Sequence, residues 1–361
     1  MSKKRYIIPI FVPHRGCPND CVFCNQKKIT GITTDLTEKD VRNIIEEYLM
    51  TLPKSNAILE ISFFGGSFTA IDFEIQKTFL SIANEYKEKG EIDLIRLSTR
   101  PDCIDISILT MLKEHGVDII ELGVQSLDDS VLFASKRGHN AEDVINAVNL
   151  IKRYEFKLGI QMMLGLPEDT EEKSIKTAHQ IINLAPDFVR IYPTLVVKDT
   201  YLEKMYKNEE YNPMGLEDTV NICSKLLMMF LYNNIDVIRI GLQPTENISL
   251  HGDVVGGPFH PAIRQLVEGN MFKIIINMFM KEQCISYDEI KILANSEDIN
   301  NIVGHKKNNI EYFKKKYNIK RIKIFEDSIE RYNININIDN KNFEINLREY
   351  TKKYLKEEGL M

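Results

Sequence analysis

Over its first 240 residues the chain alternates short β-branched apolar runs with amphipathic helical stretches, and this rhythm restricts the fold more than any other feature. Strands are predicted at residues 6–11, 59–64, 94–98, 119–124, 158–163, 188–192 and 237–240. Helix-period segments lie between them, near 37–51, 72–88, 104–115, 141–154, 171–183 and 216–233. Sustained strand-then-helix order implies a parallel sheet with right-handed crossovers, hence an α/β barrel or an open doubly wound sheet. About six βα units fall short of a closed eight-stranded barrel. The fold class expected is therefore α/β, a partial (βα)6-type barrel whose site lies at the C-terminal strand ends. Thr37 with Asp40 reads as a helix N-terminus, and Gly90, Gly116 and Gly138 read as helix-stopping glycines.

A Gly/Pro/His-rich stretch at 252–261 breaks the rhythm, and composition then shifts to Ile, Asn and Lys. Residues 271–361 read first as helix, then as strands at 321–325, 332–338 and 343–347, then as a final helix. The organisation expected is a barrel domain over 1–250, a connector over 251–270 and a small α+β domain over 271–361. A length of 361 residues accommodates one sizeable core and such an appendage. Hydrophobic residues at 43% and charged residues at 27% exclude a disordered or fibrous chain. No apolar run reaches the roughly 18 residues of a membrane span, and no signal-peptide core follows residues 1–5. A cytoplasmic protein without a membrane partner is expected. Formal charge is -6, with 17 Lys plus Arg against 14 Asp plus Glu in residues 271–361. That tail is +3 and the rest -9, a distribution that points the tail towards a polyanion.

Six cysteines are too few for a disulfide scaffold, and a tight cysteine group in a reducing compartment reads first as a metal site. Cys103, Cys223 and Cys284 each stand alone among apolar neighbours and read as small core residues. Cys17, Cys21 and Cys24 are spaced C-x3-C-x2-C in the loop after the first strand. Three thiolates there can hold one compact iron-sulfur cluster and leave one iron open, whereas electron-carrier ferredoxins saturate theirs with four. S-adenosylmethionine can occupy the open iron through its amino and carboxylate groups. An electron from the reduced cluster then splits the sulfonium into methionine and a 5′-deoxyadenosyl radical, chemistry for which the protein supplies binding and orientation. The competing reading is a closed tetrahedral zinc site of three cysteines plus His14. The second strand ends in Gly65 and Gly66, where bare backbone can approach a ligand and hold the methionine amino end.

With these residues stand Ser98-Thr99-Arg100-Pro101-Asp102, Ile120-Glu121-Leu122-Gly123-Val124-Gln125-Ser126, Lys136-Arg137-Gly138-His139, Gln161-Met162-Met163-Leu164-Gly165-Leu166-Pro167 and Ile191-Tyr192-Pro193-Thr194-Leu195-Val196-Val197. In this order, over roughly residues 6–206, the chain resembles the radical S-adenosylmethionine superfamily and, within it, the family of the Elongator catalytic subunit. The resemblance implies a [4Fe-4S] cluster on Cys17, Cys21 and Cys24, with S-adenosylmethionine bound by Gly65, Gly66, Ser67, Gln125, Arg137 and Gln161. The last three match cofactor-contacting positions of the related oxygen-independent coproporphyrinogen oxidases, where such residues meet the ribose and carboxylate. Arg190 and Tyr192 are candidates to face the substrate, and no catalytic residue is assigned. The family attaches an acetyl-derived group to the wobble uridine of tRNA, so tRNA is the substrate implied, and an electron donor such as ferredoxin or flavodoxin the partner. The chain departs from the family in lacking the longer insertion between the first two cluster cysteines. Its first strand starts at once, so no N-terminal tRNA-binding extension is expected, and nothing after residue 250 resembles an acetyl-coenzyme A binding unit.

Two further segments are candidates. His260 and Arg264, near the glycines at 256 and 257, could close over the barrel mouth. Residues 299–316 with the strand at 321–325 resemble a KH-type RNA-binding module, with Lys307 in place of the second glycine of its Gly-x-x-Gly loop. There Lys306, Lys307 and Lys314, Lys315, Lys316 could neutralise phosphates, or simply form a solvated helix face. The function expected is radical modification of tRNA. The alternatives are radical chemistry on a small molecule such as a tetrapyrrole, and a non-enzymatic cluster-bearing electron carrier or RNA-binding regulator.

Overall fold

A computed structural model of the protein describes residues 4–12, 19–25, 36–53, 55–245, 247–249, 252–283, 288–339 and 341–361. The chain divides into two compact units, Met1–Pro213 with Leu242–Phe259, and Met214–Gly241 with His260–Met361.

In the first unit, β1 (Lys4–Val12), β2 (Ala57–Gly65), β3 (Leu94–Thr99), β4 (Ile119–Gln125), β5 (Lys157–Leu164) and β6 (Phe188–Pro193) carry the sheet. Between them run α1 (Glu38–Thr51), α2 (Phe73–Glu88), α3 (Ile106–Glu114), the pair α4 (Asp129–Ala134) and α5 (Ala141–Arg153), and α6 (Glu171–Asn183). A short β7 (Val196–Val197) and α7 (Tyr201–Lys207) follow; α8 (Leu216–Tyr232) and β8 (Asp236–Ile240) then belong to the second unit. The chain returns to the first unit with β9 (Val254–Gly256), antiparallel to β7.

Strands β1 to β6 pair in parallel and in sequence order. A doubly wound sheet needs a reversal of that order. Without one, right-handed crossovers put every helix on the same face, and the sheet is the partial barrel expected. Alternation along each strand separates its two faces. Ile61 and Phe63, Ile95 and Leu97, Ile120 and Leu122, Leu158 and Ile160, and Val189 and Ile191 are buried apolar residues. Between them stand Glu60, Ser62, Arg96, Ser98, Glu121, Gln161 and Arg190, which form one polar layer on the other face. Glu121 Oε1 accepts from Arg96 Nη1 at 3.1 Å and Arg190 Nε at 2.8 Å. Its Oε2 accepts from Ser98 Oγ at 3.2 Å and Gln161 Nε2 at 3.4 Å. Arg96 also pairs with Glu60 and donates to Ser62 Oγ at 3.2 Å. The Phe64 ring lies 5.8 Å from the Arg96 guanidinium carbon and 5.6 Å from that of Arg190. Charges this deep are tolerated because each has a partner.

The seven predicted strands all form, extended by no more than two residues at either end. The Thr37 cap is a capping box: Asp40 N donates to Thr37 Oγ1 at 3.2 Å and Thr37 N to Asp40 Oδ2 at 2.9 Å.

In the second unit α8 packs against α9 (Ile263–Glu282), with Ser224 Oγ donating to Val267 O at 3.1 Å. A four-stranded sheet follows from β10 (Glu289–Ala294), β11 (Arg321–Glu326), β12 (Asn333–Ile338) and β13 (Lys341–Asn346), in the order β11-β10-β12-β13. Helices α10 (Ser296–Val303) and α11 (Asn308–Tyr317) join the parallel pair β10 and β11, and α12 (Leu347–Glu357) ends the chain. The unit is α+β, as expected, but it begins at residue 214 and not near 270. The cause is α8, whose buried Ile222, Leu226, Leu227 and Phe230 need α9 as a partner. Among the described residues no helix is long and apolar enough to cross a membrane.

Candidate functional site

Cys21 and Cys24 lie in the loop after β1; Cys17, His14 and Cys284 lie outside the described residues. Cys24 N donates to Cys21 O at 3.0 Å, which folds the pair into one turn. The turn is pinned on both sides. Val22 N donates to Ser135 O at 3.1 Å, just past α4, and Val22 O accepts from Leu202 N at 2.7 Å in α7. The Val22 side chain is buried with Val196, Leu202 and Tyr211. Gly138 stands in the loop from α4 to α5 with φ 75°, and a Cβ there would collide with the Asn19 side chain. Gly138 is not the helix stop that the sequence suggests, since α4 already ends at Ala134; its bare backbone lets two loops meet.

The buried Cys21 sulfur accepts from Arg137 Nη1 at 3.2 Å and from Arg100 Nη1 at 3.8 Å. Arg137 Nη2 donates to Gly123 O at 2.6 Å, and Arg137 Nε is buried without a partner among the described residues. Arg100 is held by Asp102, Nε to Oδ1 at 2.9 Å and Nη2 to Oδ2 at 3.0 Å, and it also donates to Arg137 O. Gln125 ends β4 in the left-handed region, φ 66°, where the pairing with β5 slips register. Strain of that kind in a residue with a side chain collects at ligand sites. Gly123 is bare beside it, since a Cβ would stand 2.9 Å from Gln125 Nε2.

Gly65 has φ 105°, and a Cβ there would stand 2.5 Å from Val12 O; glycine lets the end of β2 close on β1. Ser67 Oγ lies 2.8 Å from Thr99 Oγ1 and accepts from Arg100 N at 3.1 Å, tying this turn to the Arg100 segment. The structure thus gathers Cys21, Gly123, Gln125 and Arg137, joins Ser67 to them through Arg100, and places Gln161 in the polar layer on Glu121. Arg190 lies in that layer as well, its Nη1 3.3 Å from Tyr192 OH.

His139 is buried beside these arginines. Its Nε2–H donates to Val124 O at 3.3 Å, and its Nδ1 lies 3.7 Å from Asp102 Oδ1, with no hydrogen-bond partner among the described residues. Burial, reinforced by the Arg137 and Arg100 charges, pushes its pKa down to about 4, so the ring is neutral.

Two cations aimed at one sulfur match a metal-bound thiolate, and an orphaned Arg137 donor matches an anionic ligand beside it. The residues present fit an iron-sulfur cluster with a carboxylate-bearing cofactor. Among the described residues no three His, Cys, Asp or Glu side chains come together, Cys17 being outside them. Sequence reasoning assigns no role to Arg100, Asp102 or His139, although each stands in a compared stretch. Cys223 is a buried core residue whose thiol burial pushes up, and Cys103 is half-buried. His260 and Arg264 are engaged within the second unit. The His260 ring meets His305 edge-on at 5.2 Å, and Arg264 Nε pairs with Glu268 Oε1 at 2.8 Å. Lys306 and Lys307, between α10 and α11, have left-handed backbones with φ 51° and 65°.

Residues 11–181 match the Radical SAM superfamily domain and residues 186–273 the Radical SAM C-terminal domain. A tRNA uridine(34) acetyltransferase of Methanocaldococcus jannaschii is 34% identical over 187 residues, 46% of this chain and 34% of that protein. An uncharacterised protein of the same archaeon is 30% identical over 240 residues, 63% of this chain and 72% of the relative. Among solved structures, the Elp3 of Methanocaldococcus infernus with its N-terminus deleted superimposes with a TM-score of 0.56 at 22% identity. The match covers 79% of this chain and 64% of that one, and it shows the shared fold. The chain spans about a third of the length of the acetyltransferases it matches.

Proposed function

The chain belongs to the radical S-adenosylmethionine superfamily and is an enzyme of that class, and from this premise we propose that it modifies a tRNA uridine with a [4Fe-4S] cluster held by Cys17, Cys21 and Cys24. When bound, the cluster and S-adenosylmethionine would supply the one-electron cleavage of the sulfonium into methionine and a hydrogen-abstracting 5′-deoxyadenosyl radical, which becomes 5′-deoxyadenosine once it has taken a hydrogen atom. The observation that carries the reading is the pinned Cys21 turn, its sulfur under Arg137 and Arg100, at the strand end where Gln125 is held left-handed. Arg137 Nε is free to donate to the cofactor carboxylate, and on this reading Gln125 meets its ribose and the backbone of Gly65, Gly66 and Ser67 receives its amino end. Gln161, the other residue proposed for the cofactor, is bonded to Glu121 in the polar layer that also holds Arg190, and Arg190 with Tyr192 is the pair proposed to face the substrate. A low-potential donor of the ferredoxin or flavodoxin kind supplies the electron. The substrate rests on the relatives named as tRNA uridine(34) acetyltransferases and on the basic tail.

Anaerobically reconstituted, dithionite-reduced protein should release 5′-deoxyadenosine from S-adenosylmethionine, and Cys21→Ala should abolish it. Zinc in anaerobically purified protein, or cleavage that survives Cys21→Ala, would overturn the cluster assignment. Nucleoside mass spectrometry of tRNA from cells lacking the protein should show one modified uridine missing; an unchanged profile would remove tRNA as substrate.

A further inference from the structure

Arg100 has a geometry that a structural salt bridge does not need. Its Nε and Nη2 form a fork on Asp102 two residues later, which anchors the guanidinium. Nη2 also donates to Arg137 O, so Arg100 holds the backbone of the other arginine at the sulfur. Nη1 points to Cys21 Sγ at 3.8 Å, and the residue is 3% exposed. Four segments meet here: the end of β3, the Cys21 turn, the loop from α4 to α5, and β4 through Gly123 O.

Resting on the cluster reading above, we propose that Arg100 is a positioning residue that sets the cluster's reduction potential through its guanidinium at the Cys21 sulfur, with Asp102 as its anchor. The step concerned is transfer of one electron from a low-potential donor to the oxidised [4Fe-4S]2+ cluster, giving [4Fe-4S]1+ with no bond made or broken. The reduced cluster carries one more negative charge than the oxidised one. A buried cation and hydrogen-bond donor at a ligating sulfur favours the more negative state and raises the potential. Burial leaves that attraction little screened by salt. Arg137 delivers the same influence more closely, yet its Nε is spare for a cofactor, whereas the Arg100 fork is already bound to Asp102. The structure thus divides the labour, with Arg100 serving the cluster and Arg137 both cluster and cofactor.

The test uses the full chain, reconstituted anaerobically, with iron and sulfide analysis and circular dichroism confirming a full cluster in a folded protein. The reduced-to-oxidised ratio is read by electron paramagnetic resonance during a redox titration without S-adenosylmethionine or RNA. Arg100→Met should lower that ratio about tenfold at fixed poise, equivalent to about 59 mV for a one-electron couple. Arg100→Lys, which keeps the charge and loses the fork, should fall between the two. An Arg100→Met protein with a full cluster and the wild-type potential would overturn the inference. If Arg100→Met does not fold, the same titration of Arg100→Lys decides: a shift supports the inference, no shift ends it. A wild-type protein that takes up no iron and sulfide would remove the cluster reading itself, an outcome distinct from an unshifted potential.

Discussion

His139 is held neutral by its surroundings, and that has a pH signature. Its ordinary pKa near 6.5 is pushed down to about 4 by burial first and then by Arg137 and Arg100. Between those values the unfolded chain binds a proton at this residue that the folded chain does not, so stability rises with pH across the window. The loss on acidification therefore begins below about pH 6.5 and is complete near pH 4, amounting to on the order of 3 kcal/mol. His139→Gln should flatten the melting temperature between pH 4 and 6.5; an unaltered slope would show that the proton goes elsewhere. At this scale the sequence is partly readable. Cys21 and Cys24 announce themselves by spacing alone, because one loop carries both. Arg100 and His139 do not, because their role arises where β3, β4 and the loop beyond α4 meet in space.

The strands act as a set through Glu121, which joins β3, β4, β5 and β6 by accepting from Arg96, Ser98, Gln161 and Arg190. Removing one member of a buried ionic group leaves the others uncompensated, a cost of about 3–5 kcal/mol. Glu121→Ala should lower the stability of the first unit by that amount, read as faster hydrogen exchange at β3 to β5 amides in urea. A loss below about 1 kcal/mol would mean that water reaches Arg96 and Arg190 and repairs the gap. The seven strands of the βα series are legible because their apolar runs alternate with helix-period segments. Helices α4 and α7 are not legible: six or seven residues hold too few turns to display a period. Strand β10 is missed because its Ile290, Ile292 and Ala294 alternate for only six residues within a stretch that reads as helix. The unit boundary at residue 214 is hidden for a different reason, since α8 continues the strand-helix rhythm while its apolar face is completed by α9.

Taken whole, the protein carries -6, and an RNA approaching it meets a net repulsion that only local cations can reverse. The division of charge, +3 in residues 271–361 against -9 elsewhere, places that reversal in the tail. Within it Lys314 pairs with Glu311 and Lys316 is bonded to Tyr312 and Asn277. Lys306 and Lys307 are exposed on the loop between α10 and α11, in left-handed backbone that a lysine adopts at a cost of roughly 1–2 kcal/mol each. On the tRNA reading proposed above, these two side chains contact phosphates, and each contact releases close to one counterion. A plot of log affinity for bulk tRNA against log salt should therefore lose about 2 from its slope in the Lys306→Ser, Lys307→Ser double variant of the full chain. The variant should leave 5′-deoxyadenosine formation without RNA unaltered, because neither lysine belongs to the unit that holds the Cys21 turn. An unchanged salt slope would remove the tail from RNA binding and leave the first unit to supply the attraction against its own negative charge.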